Sequence, residues 1–229
     1  MSKYLKTKEA KKAIIDIGQR MYVRAFVAAN DGNISIRTGD NEVWATPTGV
    51  SKGFMKKSML VKVDLDGNVL EGNNKPSSEL KMHLRAYKEN PDIKAVVHAH
   101  PPICTAYSIA GIELSAPILA EAVITLGNVP IAPYAELGSN EVPEVIAPYC
   151  HTHNGIILAN HGVVTWADDP YAAYYRLESM EYYANISMLT EKILGKQNCL
   201  SDEEIDRLIG MRKKFGVKMG GTPRRTSQQ

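Results

Sequence analysis

The stretch Ala95-Val96-Val97-His98-Ala99-His100-Pro101-Pro102 constrains this chain more than any other. Ala95, Val96 and Val97 form a short apolar run with β-branched character, which predicts a buried strand. Residues i and i+2 of a strand project from the same face, so His98 and His100 stand side by side. Pro101 and Pro102 stop the strand and leave the pair at its C-terminal rim. Two imidazoles on one side of a rigid strand end make two legs of a metal tripod. Taken alone, they are equally two partly buried histidines bonded to nearby backbone.

The 229 residues, 44% hydrophobic and 23% charged, suffice for one large α/β domain or two small ones. No internal repeat or low-complexity linker divides them, so residues 1–229 are read as a single domain. Its structured core spans about 8–217, and the Gly-, Arg- and Ser-bearing segment 220–229 reads as a flexible tail. A net charge of +2 builds no field toward nucleic acid or an anionic membrane. No apolar run approaches the roughly 18 residues of a membrane span. The N-terminus lacks the apolar core of a secretory signal. Cys104, Cys150 and Cys199 are too few and scattered for a disulfide framework, which fits a reducing cytoplasm.

In chain order, Ile14, Ile17, Met21, Ala25 and Ala28 recur at helical steps and predict an amphipathic helix from Lys8 to about Ala29. Asn30-Asp31-Gly32 is a turn, and Asn33 stands at the entrance of an alternating strand through Arg37. Glu42–Thr46 is its hairpin partner. Pro47–Gly53 is a loop whose glycines permit close backbone approach and whose Thr48 and Ser51 offer hydroxyls. It is either a plain surface loop or a phosphate loop without the nucleotide-hydrolase spacing. Strands follow at Leu60–Asp64 and Val69-Leu70. Ser77-Ser78-Glu79 opens a helix, either as ordinary capping or as an anion site at a helix N-terminus. Val129–Tyr134 is edge-like because two prolines exclude a central strand. Gly155–Ala159 is a second buried strand, ending in Asn160-His161-Gly162. Asp168-Asp169-Pro170 starts a helix running to about Leu194, and Ser201 opens the last helix.

His161 supplies a third imidazole at a second strand end, and the three match a catalytic metal site with open positions. With no thiolate nearby, the set favours Zn²⁺, with Fe²⁺ or Co²⁺ as other divalent choices. A carboxylate such as Glu79 completes the shell or acts as base. His151-Thr152-His153 reads as an exposed loop rather than a ligand pair. His83 shares a helix face with Glu79 and takes a structural or supporting role.

Five ordered segments now carry a resemblance: Gly32-Asn33-Ile-Ser-Ile-Arg37, Thr46-Pro-Thr-Gly49, Pro76-Ser-Ser-Glu79, Val97-His-Ala-His100 and Asn160-His-Gly162. Together they resemble the class II aldolases of the L-fuculose-1-phosphate aldolase and ribulose-5-phosphate 4-epimerase type, closest to the fuculose aldolase branch. The resemblance implies an α/β sandwich around a largely antiparallel sheet, in a C4 homotetramer with the site near a subunit interface. It implies Zn²⁺ on His98, His100 and His161, with Glu79 as resting ligand and then acid/base. Gly32, Asn33, Thr48, Gly49, Ser77 and Ser78 would hold the phosphate of a small sugar substrate. The implied reaction is reversible cleavage of a ketose 1-phosphate to dihydroxyacetone phosphate and a small aldehyde.

The chain departs from the family pattern at the aldehyde end. Leu119 falls where the fuculose enzyme has a tyrosine acid from the neighbouring subunit, and Glu121 is the nearby candidate second acid/base. Leu137 and Phe215 stand where an aromatic pocket residue and a tyrosine occur. The alternatives are a pentose-phosphate 4-epimerase, a decarboxylase or dehydratase on the same scaffold, and an adducin-head-like interaction module without catalysis. A complete ligand set argues against the last, since three histidines and a carboxylate have no packing advantage over apolar residues.

Overall fold

A computed structural model describes residues 4–228. Eight strands form one sheet: β1 (Asn33–Gly39), β2 (Glu42–Ala45), β3 (Val61–Val63), β4 (Val69–Glu71), β5 (Ala95–Ala99), β6 (Ile131–Ala132), β7 (Gly155–Leu158) and β8 (Gly162–Ala167). Their order is β4-β3-β2-β1-β5-β8-β7-β6. Every pairing is antiparallel except β6 with β7. The sheet is thus largely antiparallel, and β5 lies inside it between β1 and β8.

Helices cover both faces of the sheet. On one side, α1 (Thr7–Val23), α3 (Pro102–Ala110) and α6 (Pro170–Met188) pack on Ile34, Ile36, Ala95, Val97, Ala99 and Val163. On the other, α2 (Leu80–Glu89) and α5 (Glu141–Ile146) pack on Val43, Val61, Val96, Ile156, Val164 and Trp166. Strand periodicity explains the split: Ala95, Val97 and Ala99 face α6, while Val96 and His98 face α2. A strand buried on both faces reads as a continuous apolar run, as β5, β7 and β8 do.

The remaining elements are α4 (Ala120–Thr125) and α7 (Asp202–Met211). The start of α6 forms as its sequence dictates. Asp169 Oδ1 accepts the amides of Tyr171 and Ala172, and Pro170 occupies the first helical position. Leu177, Met180 and Ala184 of this helix are fully buried, each of the two larger side chains contributing about 1.5–3 kcal/mol. No helix is long and apolar enough to cross a membrane among the described residues.

Two expectations are corrected. The first helix stops at Val23, because Ala25 takes a left-handed conformation (φ 56°) and the chain bends to bury Phe26 and Val27. Ala25 and Ala28, which extended the helical pattern, are exposed. The segment expected as a loose tail is docked. Arg212 reaches the carbonyls of Gly220 (2.8 Å) and Gly221 (2.7 Å) as well as those of Val123 and Ile124. Asp202 accepts from the Thr226 amide (2.8 Å) and the Ser227 hydroxyl (2.6 Å). A planar guanidinium with several donors can join two backbone segments in this way. Gln229, the last residue of that expected tail, lies outside the described residues.

Candidate active site

The rim of the sheet beyond the C-terminal end of β5 gathers the singled-out residues. Asn33 begins β1 directly opposite His98 in the antiparallel ladder. On the other side of β5, Ala99 pairs with Val163. His161 sits in the tight connection between β7 and β8, where Leu158 pairs with Gly162. Asn160 turns that hairpin in the left-handed region (φ 55°), a conformation asparagine tolerates better than most residues. Gly162 is required by contact: a Cβ there would lie 2.5 Å from the Ala99 carbonyl oxygen and 2.6 Å from the His100 ring. The hairpin can therefore press His161 against the other two imidazoles.

His98, His100 and His161 each present a ring nitrogen, and these atoms lie within 4.8 Å of one another. His98 Nδ1 donates to the Val163 carbonyl at 2.8 Å, which directs the bare Nε2 into the cluster. That Nε2 lies 3.1 Å from His100 Nε2. His100 Nδ1 faces the Asp31 carboxylate at 3.4 Å on its outer side. Glu79 closes the cluster, with Oε1 3.0 Å from His161 Nε2 and Oε2 3.5 Å from His98 Nε2. Glu79 stands at the N-cap of α2, one turn before His83. Asn33 Nδ2 holds Glu79 Oε2 at 2.8 Å and also reaches Ser77 Oγ at 3.2 Å.

Burial sets the charge states. His98 is fully buried, and desolvation pushes its pKa down to about 3, so the imidazole is neutral. Burial also lowers His100, with His161 adding to the effect. Burial works to raise the Glu79 carboxyl, yet the surrounding histidines outweigh it and hold it below the usual carboxylate range. His83 is fully buried too, pushed down to about 3 by desolvation, with Nδ1 2.8 Å from Ser35 Oγ. It supports the helix from beneath, as expected, rather than joining the cluster.

The residue types fit a divalent ion. Two imidazole nitrogens at 3.1 Å, with one committed as a bare acceptor, need a proton or a cation between them. The buried Glu79 Oε1 accepts no hydrogen bond from the fold. Neutral nitrogen donors with one carboxylate suit Zn²⁺ and other borderline divalent metals. His98, His100, His161 and Glu79 would hold it.

Three loops meet beside this cluster. Pro47 bridges to Pro76, the Thr48 amide donates to the Lys75 carbonyl, and the Ser77 amide donates to the Thr46 carbonyl. These contacts set Thr48 and Gly49 beside Ser77 and Ser78. Lys52 Nζ ties the same loop to the Gly32-Asn33 turn through the carbonyls of Asn30 and Val50. All the expected phosphate contacts thus come from neighbouring segments, with Thr48, Gly49 and Ser78 exposed and Asn33 buried.

Glu121 does not join the cluster within one chain. It is exposed on α4 and lines a separate cavity of about 410 Å³ with Leu119, Arg24, Glu178 and Tyr182. Leu137 and Phe215 are also exposed. His153 packs on Tyr149 before the start of β7, whereas His161 follows its end, so the second His-x-His stands at the opposite rim. Sequence reasoning passes over Asp31 and Lys52. Asp31 lay inside a turn signature, and Lys52 in a loop valued for its glycines and hydroxyls. A lysine within a glycine loop was the available signal.

Comparison with known proteins gives a consistent picture. Residues 12–188 match the family described as Class II Aldolase and Adducin N-terminal domain. An L-fuculose phosphate aldolase of Methanocaldococcus jannaschii is 38% identical over 78% of this chain and 96% of its own length. A 3-oxo-tetronate 4-phosphate decarboxylase of Haemophilus influenzae is 34% identical over 86% of this chain and 95% of its own length. The solved structure of an L-fuculose 1-phosphate aldolase superposes with a TM-score of 0.83 at 29% identity, covering 94% of this chain and all of that one.

Proposed function

The chain belongs to the class II aldolase family, and on that premise we propose a zinc-dependent aldolase that reversibly cleaves a ketose 1-phosphate, such as L-fuculose 1-phosphate or a similar deoxy-ketose 1-phosphate, to dihydroxyacetone phosphate and a small aldehyde. The family makes it a metal-dependent aldehyde-lyase. The observation that carries the finer reading is the convergence of His98, His100 and His161 on Glu79, with carboxylate–imidazole distances of 3.0 and 3.5 Å.

Bound by these four side chains, a divalent ion would supply Lewis-acid stabilisation for negative charge developing on the donor's oxygens. The chain does the rest. Gly32, Asn33, Thr48, Gly49, Ser77 and Ser78 offer backbone amides, amide groups and hydroxyls to the phosphate. Glu79 removes the proton from the hydroxymethyl carbon, and the C–H electron pair moves toward the carbonyl to give an enediolate. The nucleophilic carbon then adds to the aldehyde, whose oxygen takes up a proton. Asn33 orients the base through its 2.8 Å bond. No Schiff-base lysine is required. The aldehyde-side proton needs a second acid. Glu121 lies apart from its own chain's cluster, so in this reading it acts across a subunit boundary of a C4 homotetramer. A single-domain cytoplasmic enzyme completes the proposal.

The test is a panel of ketose 1-phosphates with zinc-loaded and metal-stripped protein, scored by trapping released dihydroxyacetone phosphate. Release only from the loaded protein is the expected result. If no ketose 1-phosphate yields triose phosphate, the aldolase reading fails. The similarity to the decarboxylase favours a second reading, loss of CO₂ from a phosphorylated 3-oxo acid on the same scaffold. Carbon dioxide release without triose phosphate release from any ketose would select it. Interconversion of ribulose 5-phosphate with its 4-epimer would select the epimerase instead. A protein indifferent to metal would match the adducin-like module.

A further inference from the structure

Lys52 is only 2% exposed, and Arg37 at 8% is the other buried cation among the described residues. Arg37 serves the far end of β1, where it bonds the carbonyls of Gly39, Asp40 and Tyr87. Lys52 lies at the other end. Its Nζ donates to Asn30 O at 2.8 Å and to Val50 O at 2.6 Å. These carbonyls belong to the two loops that carry Gly32, Asn33, Thr48 and Gly49. The lysine stem is set against α1: a Cβ on Gly18 would lie 2.8 Å from the Lys52 carbonyl oxygen and 3.5 Å from its Cβ. Neighbouring Ser51 Oγ and Asn33 Oδ1 are buried without a hydrogen-bond partner. Its hydrogen bonds go to two neutral carbonyls, and although the Asp31 and Glu79 carboxylates favour the ammonium, burial outweighs them, so a further negative group would stabilise the charge. The groups read above as phosphate contacts are all uncharged, whereas a phosphate monoester carries up to two negative charges.

We propose that Lys52 is a positioning residue for the phosphate subsite: it clamps the 30–33 and 48–51 loops together and supplies the buried positive charge beneath the bound phosphate. This rests on the sugar-phosphate reading given above and adds a residue to it. Three neutral donor segments hold the oxygens, and the ammonium behind them balances the charge without itself being part of the exposed surface. An ammonium with three donors can keep both carbonyls and turn its third N–H toward the loops' open side.

The test uses zinc-loaded full-length wild type, Lys52→Met and Lys52→Arg. The probe is inorganic phosphate, followed by thermal shift and calorimetric titration, with metal content measured on the same samples. Steady-state kinetics with dihydroxyacetone phosphate and a fixed aldehyde complete the set. Lys52→Met should keep its zinc but bind phosphate about tenfold more weakly or worse, and the same loss should fall on KM more than on kcat. Lys52→Arg should recover part of the affinity. Equal phosphate affinity in wild type and Lys52→Met overturns the proposal. So does a loss confined to kcat or to metal content. If wild type itself does not bind phosphate while triose phosphate release persists, Lys52 has no such role. If both are lacking, the sugar-phosphate reading falls with it. Should Lys52→Met fail to fold, wild type labelled at lysine ¹³Cε decides. The Lys52 resonance, assigned by its absence in Lys52→Arg, should move on phosphate addition, and an unmoved resonance refutes the assignment.

Discussion

Replacing Glu79 with glutamine isolates the proton-transfer step. The change preserves shape and removes one negative charge. Oε2 accepts from Asn33 Nδ2 at 2.8 Å, while Oε1 faces His161 Nε2 at 3.0 Å without a hydrogen bond. A glutamine oxygen can keep the Asn33 bond, which leaves the new NH₂ facing His161. The ground state then loses the charge assistance of the Asn33 bond, about 1 kcal/mol. The barrier loses much more, because an amide cannot accept a proton from carbon. General-base catalysis contributes about 10²–10⁴-fold, or about 3–5 kcal/mol of barrier. Turnover should therefore fall at least a hundredfold at saturating zinc. Phosphate affinity should stay within about threefold, since Ser77, Ser78, Thr48 and Gly49 are untouched. The cleanest assay is exchange of the hydroxymethyl proton of dihydroxyacetone phosphate with deuterated solvent, which needs no aldehyde. Exchange within tenfold of wild type, with zinc bound, would refute Glu79 as the base.

Three further outcomes follow from the same geometry. His83 is buried with a pKa pushed down to about 3, below the usual 6.5. The unfolded chain therefore binds the extra proton between those values, and metal-free stability must fall as pH drops from about 6.5 toward 3. At pH 5 this amounts to about 2 kcal/mol for His83 alone, and His83→Gln should flatten the urea-melt difference between pH 7 and pH 5 by that amount; an unchanged slope rejects it. Gly49 has φ +71° with no atom within 4 Å of an added Cβ. Gly49→Ala should then cost about 1 kcal/mol of stability while raising KM for phosphorylated substrates, and an unaltered KM would remove Gly49 from the phosphate contacts. Glu121→Gln, being on the surface, should leave stability within about 0.5 kcal/mol but lower kcat about tenfold or more; unchanged turnover would dismiss Glu121 as the second acid.

The sheet's inner strands were readable because burial on both faces leaves an unbroken apolar run, as in Ala95–Val97 and Gly155–Leu158. The pairing of His98 with His100 was readable because strand period two and a terminal proline pair fix where they point. His161 joins them through the fold, since the pairing of β8 between β5 and β7 brings its hairpin to the same rim. The end of helix α1 is not legible in the sequence, because alanine satisfies a helical pattern without revealing burial. Phe26 and Val27 decided the chain's turn through tertiary packing. The docked C-terminal segment was illegible for a related reason. Its Gly, Arg, Thr and Ser residues have the composition of a loose tail, and only the positions of Arg212 and Asp202 in space give them partners. Lys52 is hard to single out because its place in a glycine loop does not by itself reveal burial.

The place of β8 in the sheet has a consequence for how the chain is made. Residues of the cluster span Asn33 to His161, and β8, last in sequence of the eight strands, is the one that closes β5 on its open side. Until Gly162–Ala167 emerges from the ribosome and inserts, β5 is an unpaired edge rich in β-branched residues, the kind of edge on which chains aggregate. The β1–β5 and β5–β8 pairings that complete the site are distant in sequence, which slows folding. A metal ion held by the three imidazoles would therefore not template the early chain, because the third imidazole arrives with the closing hairpin. Zinc supplied during synthesis should change the final melting temperature more than the yield of soluble protein. Variants that weaken β8, such as a β-breaking substitution at Val164, should fail during expression rather than merely lose metal.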